Sequence, residues 1–457
     1  MSPKSKKNVF VFLILIFFIF SPSFSIKLPT KAKILEYNHS INNNIRSLAQ
    51  KELEITNYKY YLMETELCVG TPEQCFKVLY DTGTVYLILG VDNTNLKFKK
   101  GFNSLMSDTF MQSENRFFAV PFKSSVLVAR EVRDKVSIIP SYNLPYLFSF
   151  LLAWNSTESY DYEGILGLGY YYPKRDFDNS FDERFSFVHY LKSNGIINNL
   201  IFGHEYVDRT KGILYFGEEP KSMQNGYFKC KVQNFISYNN KWHCPLLSVY
   251  YTNIGDYLSL GSTAAFDTGY TYIKGPYYQV YTILDKLLEL SEGKCELVQQ
   301  QIEEGDDYGL IRLICDENVD TSKFSNIDFD IVGFRITLLK SDLLRKMVTK
   351  DGKMKYEVTL IGDSTYKFWN FGEPILKNYD MVFNYEDNTV GFKENNNLIG
   401  GDWNNVFVLS VVFVIFLSVA KYIYKNRKNI FRKNVKEEDI QKFQETEMKQ
   451  GLQMTDI

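Results

Sequence analysis

The sequence predicts an all-β chain of two similar lobes with short helices, followed by one C-terminal transmembrane helix. Three observations predict it. From Ile55 onward, strand-like apolar runs punctuated by turn residues dominate, and helical patterns are few. Two nearly identical runs, Leu79-Tyr80-Asp81-Thr82-Gly83-Thr84 and Ala265-Phe266-Asp267-Thr268-Gly269-Tyr270, stand about one lobe apart. A late apolar run, Val406–Ala420 continuing through Tyr424, is about 20 residues long with its flanks, enough to cross a bilayer as a helix.

In chain order, the first element is a targeting segment. Lys4, Lys6 and Lys7 precede the apolar run Val9–Phe20, and Ser23-Phe24-Ser25 supplies a small-x-small cleavage pattern. This is the order of a secretory signal peptide, assigned to residues 1–25; an uncleaved anchor is the alternative. Residues 26–54 are polar and basic with few strand signals and read as a propeptide or leader. Tyr58–Val69 and Cys75–Tyr80 read as strands joined by the turn Gly70-Thr71-Pro72-Glu73-Gln74. A first lobe is expected over 55–217 and a second over 218–398. Helices are expected over Phe185–Ser193, stopped by Gly195, and over Tyr277–Leu290, started by Pro276.

The membrane segment is expected over 403–424. Lys421, Lys425, Arg427, Lys428, Arg432 and Lys433 follow it. Positive residues stay cytosolic, so 425–457 is expected to be a cytosolic tail and 26–402 to be lumenal or extracellular, as in a single-pass type I protein. A glycolipid-anchor signal would end in its apolar tail, whereas this chain continues with charged residues.

The six cysteines, Cys68, Cys75, Cys230, Cys244, Cys295 and Cys315, all lie on the expected oxidising side. Sequence neighbours pair naturally as Cys68–Cys75, Cys230–Cys244 and Cys295–Cys315, out of fifteen possible connectivities. Asn38 and Asn155 open Asn-x-Ser/Thr acceptor sites for glycosylation. A net charge of -2 argues against nucleic acid as a partner, because phosphate binding needs a basic footprint.

The two Asp-Thr-Gly runs carry the chemistry. Asp81 and Asp267, brought together across a pseudo-twofold axis, would form an acid/base pair: one carboxylate takes a proton from water while the other acid donates to a carbonyl oxygen. Two such carboxyls about 3 Å apart cannot both ionise and share a proton. Gly83 and Gly269 leave room for close approach, and Thr82 and Thr268 can hydrogen-bond across the axis. Each half also carries a later apolar-apolar-Gly strand, Gly164-Ile165-Leu166-Gly167 and Trp369-Asn370-Phe371-Gly372. Other chemistries find little support. Neither Gly-x-Ser-x-Gly nor His-Glu-x-x-His occurs. His39 lies in the leader, while His189, His204 and His243 read as surface or core. Asp306 and Asp307 read as a solvated acidic loop. An aspartyl-phosphate loop at Asp81-Thr82-Gly83-Thr84 would use Mg²⁺ and further acids. No metal and no cofactor is expected.

Over residues 55–395 the chain resembles the pepsin-like aspartic proteases of the cathepsin D and β-secretase kind. The resemblance rests on both Asp-Thr-Gly runs, on Gly70-Thr71-Pro72-Glu73-Gln74, on Gly164-Ile165-Leu166-Gly167-Leu168-Gly169, on Phe371 to Phe383, and on Val390-Gly391-Phe392. It implies a bilobal β fold, a cleft for an extended peptide or protein substrate, and Asp81 and Asp267 as catalytic residues; the chain is expected to be a monomer. It also implies Cys295–Cys315 as the second-lobe disulfide and Thr84 as support for the first carboxylate. Aspartic proteases are the type case of a carboxyl pair sharing one proton. The chain departs from the family at three places. Phe122 stands at the flap position usually held by Tyr, Ile88 stands at its usual Trp partner, and Tyr270 replaces the Ser or Thr after the second Gly. An apolar Phe122–Ile88 contact would replace the usual hydrogen bond. These departures motivate a rival reading, a non-catalytic peptide-binding protein on the same fold.

Overall fold

The computed structural model describes residues 52–395 apart from 60–61, 93–97, 123–124, 139–145, 157–159, 161, 171–182, 209–210, 234–240, 252–255, 301–308 and 350–351, and also residue 442. The expected signal peptide, nearly all of the leader, Asn38, Asp306 and Asp307, the 403–424 segment and most of the tail lie outside these residues. No helix among the described residues is long and apolar enough to cross a membrane.

The described chain is mostly β with few short helices. The first strand begins at Glu52, three residues inside the expected leader, and pairs with Lys211–Phe216. The expected strand over Tyr58–Val69 is two strands, Glu52–Lys59 and Leu62–Val69, with a register shift between Asn57 and Lys59. Leu62–Val69 then turns at Gly70, whose φ of 90° suits a residue without Cβ, and returns as Gln74–Asp81.

Gly164–Gly167 runs parallel to Gln74–Asp81, with Gly167 opposite Asp81, and antiparallel to Leu87–Val91. The second half repeats the device. Trp369–Phe371 runs parallel to Asp256–Phe266, with Phe371 opposite Phe266, and antiparallel to Ile273–Pro276. Each Asp therefore leaves the end of a strand whose neighbour is inserted from far along the sequence. Both inserted strands are fully buried, which explains their near-continuous apolar composition.

A 15-stranded sheet holds the first half and also takes in Phe228–Lys231, Tyr379–Asn384 and Thr389–Glu394 from the second. Ile201–Asp208 is the junction, pairing with Tyr379–Asn384. An 11-stranded sheet holds the remaining second-half strands. The shared sheet ties the halves into one scaffold, which is what allows two loops 186 residues apart to meet with fixed geometry.

The helices form where periodicity predicts them. Tyr277–Leu290 buries Tyr277, Val280, Ile283, Leu284 and Leu287, one face at i, i+3, i+4 spacing. The earlier helix spans Phe187–Ser193, preceded by a 3₁₀ turn at Glu183–Phe185. Cys68 bonds Cys75 and Cys295 bonds Cys315, each pair directly opposite across a hairpin, and Cys230 bonds Cys244. Asn155 is exposed near the end of the strand Phe148–Ser156.

Candidate active site

The two Asp loops interlock through their threonines. Thr82 N–H donates to Thr268 Oγ1 at 3.0 Å, and Thr268 N–H donates to Thr82 Oγ1 at 3.1 Å. Each hydroxyl then donates across the axis, Thr82 Oγ1 to Phe266 O at 2.8 Å and Thr268 Oγ1 to Tyr80 O at 3.1 Å. Both threonine N–H groups and both hydroxyls of this buried cross-link have partners, so the loops are held as one unit.

Asp81 and Asp267 sit on that cross-link, both buried, and each carboxyl lies within the other's electrostatic reach. The glycines explain the approach. A Cβ on Gly83 would overlap the Asp267 carboxyl, and a Cβ on Gly269 would overlap the Asp81 carboxyl. Gly83 N–H also donates to Asp81 Oδ1 at 2.7 Å. Gly167 and Gly372 close the parallel strands, where added Cβ atoms would strike the backbone at Tyr86 and at Tyr270 and Tyr272. Thr84 takes part through its carbonyl, which accepts from Gly169 N–H at 2.6 Å.

The pair is asymmetric. Burial, and then the Asp267 charge, hold the Asp81 carboxyl far above the ordinary carboxylate range. Burial also pushes Asp267 upward, but the Lys241 charge and hydrogen bond, with a hydrogen bond from Asn370, outweigh it and leave Asp267 below its ordinary value. Lys241 Nζ lies 2.8 Å from Asp267 Oδ2 and 3.1 Å from Asn370 Oδ1, and Asn370 Nδ2 donates to the same Oδ2 at 3.0 Å. One carboxyl is thus poised to carry a proton and the other to carry charge, as acid/base chemistry on water requires.

The side-chain donors to Asp267 Oδ2 are Lys241 and Asn370, where Tyr270 stands in place of the expected Ser or Thr; its half-buried ring lies 6.3 Å from the Tyr272 ring, and burial raises its hydroxyl. Phe122 pairs with Ser125 in the long hairpin Met111–Phe122/Ser125–Asp134; its expected contact with Ile88 rests on a side chain outside the described ones. Ile88 itself is buried in the first-half core. Against that core pack Tyr86 and Phe118, which with Phe185 form three mutual edge-to-face contacts at 5.3 to 5.9 Å. Among the described residues Glu66, Cys68 and Cys75 bring three ligand-type atoms together, but both sulfurs are tied up in the disulfide.

Lys241 and Asn370 are the site residues that sequence reasoning missed as such. The signal for Lys241 is a register. His243 faces Ala265 across the antiparallel pair, and Phe266 N–H donates to Trp242 O. Just beyond these strand ends the Lys241 ammonium reaches the Asp267 carboxylate.

A model of the eukaryotic aspartyl protease family matches residues 60–395. Pregnancy-associated glycoprotein 6 of Ovis aries is 25% identical over 276 residues, covering 56% of this chain and 69% of that protein. A renin of Echis ocellatus is 22% identical over 358 residues, covering 74% and 81%. Pregnancy-associated glycoprotein 1 of Sus scrofa is 25% identical over 241 residues, covering 50% and 59%. With the family match running across both Asp-Thr-Gly loops and most of the chain, this protein belongs to the eukaryotic aspartyl protease family.

Proposed function

We propose that the protein is an aspartic endopeptidase that cleaves extended peptide or protein substrates with a water activated between Asp81 and Asp267. The observation that carries this reading is geometric: the Thr82–Thr268 cross-link seats two buried carboxyls so close that a Cβ on Gly83 or Gly269 would overlap the opposite one, with Lys241 bonded to Asp267. In the first step Asp267 takes a proton from water as the oxygen attacks the scissile carbonyl carbon, and Asp81 gives its proton to the carbonyl oxygen. A neutral diol results. In the second step Asp267 returns its proton to the departing nitrogen, Asp81 recovers one from a diol hydroxyl, and the C–N bond breaks. No metal or cofactor enters this scheme. We further propose a lumenal or extracellular catalytic region, a membrane anchor at 403–424 and an acidic working range.

One observation favours the rival, non-catalytic reading: Lys241 already occupies a hydrogen-bonding position on Asp267. Peptide-library cleavage across acidic to neutral pH, with and without a hydroxyl-bearing transition-state mimic, separates the two. Cleavage that the mimic blocks and that falls at least about a hundredfold in Asp81→Asn supports the peptidase. Peptide binding without turnover at any pH would establish the rival.

A further inference from the structure

Lys241 has no role in the general scheme, yet its ammonium reaches the reacting carboxyl. Its placement is built into both halves. The neighbouring Trp242 is fully buried; its indole N–H donates to Leu168 O at 2.9 Å, and its carbonyl accepts from Phe266 N–H at 3.2 Å. Leu168 N–H in turn donates to Asp81 O at 2.8 Å. The residue before Trp242 is therefore delivered to the dyad by contacts to Phe266, next to Asp267, and to Leu168, which is itself bonded to Asp81. Its side chain is 15% exposed and bridges Asp267 and Asn370, so the ammonium is enclosed and hydrogen-bonded.

We propose that Lys241 is a positioning residue that fixes the proton distribution of the pair, keeping Asp267 the anionic base and leaving Asp81 to carry the shared proton. This rests on the peptidase reading above. A dyad with equivalent surroundings can hold its proton on either side. Here one side faces a cation in contact and the other faces a backbone N–H. Lys241 also weakens Asp267 as a base, so its benefit lies at low pH, where it resists the second protonation that would silence the pair.

The surrounding charges do not cancel it. Lys274 lies 2.8 Å from Asp363 and is neutralised there. His243, next but one in sequence, is held neutral by burial and by Lys241 itself. Tyr270 is held protonated by burial, by Tyr366 and by Asp267, with Arg312 opposing. Tyr366 and Asp81 are the other groups that act on Lys241. Among the described residues, that leaves Lys241 as the cation in contact with the dyad.

The test is the pH profile of kcat/KM on a quenched peptide for the full-length protein, Lys241→Met and Lys241→Arg. The expected result is an acid limb moved upward by about one to three pH units in Lys241→Met and returned toward the original position in Lys241→Arg. Superimposed wild-type and Met profiles would overturn the proposal. Lys241→Gln is the neutral substitute should the Met variant fail to fold. If the wild-type protein cleaves nothing at any pH, the peptidase reading fails, and infrared titration of the Asp267 carboxyl decides the role of Lys241 separately. In Asp81→Asn, Asp267 should then ionise at lower pH than in Asp81→Asn/Lys241→Met; equal midpoints would overturn the proposal.

Discussion

Thr82 and Thr268 exchange hydrogen bonds reciprocally, each backbone N–H donating to the other's hydroxyl. Replacing Thr268 by Val keeps the shape but leaves the Thr82 N–H and the Tyr80 carbonyl bare in a buried site. Each bare group costs about 1–3 kcal/mol. Thr268→Ser should retain most of the stability and turnover that Thr268→Val loses. Urea unfolding of the two variants checks this, and equal midpoints would contradict it.

The glycines should be intolerant for a different reason. An Ala at position 269 puts its methyl into the Asp81 carboxyl, and one at 83 puts it into Asp267. Either substitution should force the carboxyls apart and abolish turnover together with binding of the hydroxyl mimic. Calorimetric titration with the mimic measures the second effect, and retained binding would show that the loops can yield.

What the sequence revealed was local. Asp81-Thr82-Gly83 and Asp267-Thr268-Gly269 are legible because each is a short run in an apolar setting, and the Tyr277–Leu290 helix because its buried face repeats at helical spacing. The disulfide partners were legible as sequence neighbours. What was not legible depends on long-range pairing. Lys241 meets Asp267 just beyond the ends of two paired strands, and Tyr379–Asn384 joins the first-half sheet only through Ile201–Asp208. The Tyr86, Phe118 and Phe185 cluster likewise draws on three distant segments, so no local pattern announces it.

The shifted carboxyls make stability depend on pH. Asp81 is pushed up to about 8, by burial first and by the Asp267 charge second. Its raised value favours the folded state fully below the ordinary carboxylate range, and that contribution disappears as pH rises through about 8. Asp267 is lowered, so its contribution is present above the ordinary range and is lost as pH falls through its folded value. Between about pH 4 and 8 the Asp81 effect dominates. The wild-type Tm should fall across this window more steeply than that of Asp81→Asn, which carries no proton to lose. Parallel Tm curves from pH 4 to 8 would refute the assignment of the proton to Asp81.

Asn370 is the neutral half of the Asp267 environment, and its removal should move the same pH limb by less. Its Nδ2 donates to Asp267 Oδ2 while its Oδ1 accepts from Lys241, so it both stabilises the carboxylate and steadies the ammonium. Asn370 donates to the carboxylate without carrying charge, so its bond lacks the ion-pair attraction that Lys241 adds. Asn370→Ala should therefore raise the acid limb of kcat/KM, but by a smaller step than Lys241→Met. Because the three groups form one network, the double variant should shift by an amount different from the sum of the single shifts. Strict additivity across the cycle would mean that Asn370 acts on Asp267 independently of Lys241, and a larger shift from Asn370→Ala than from Lys241→Met would make the amide the dominant influence on the base.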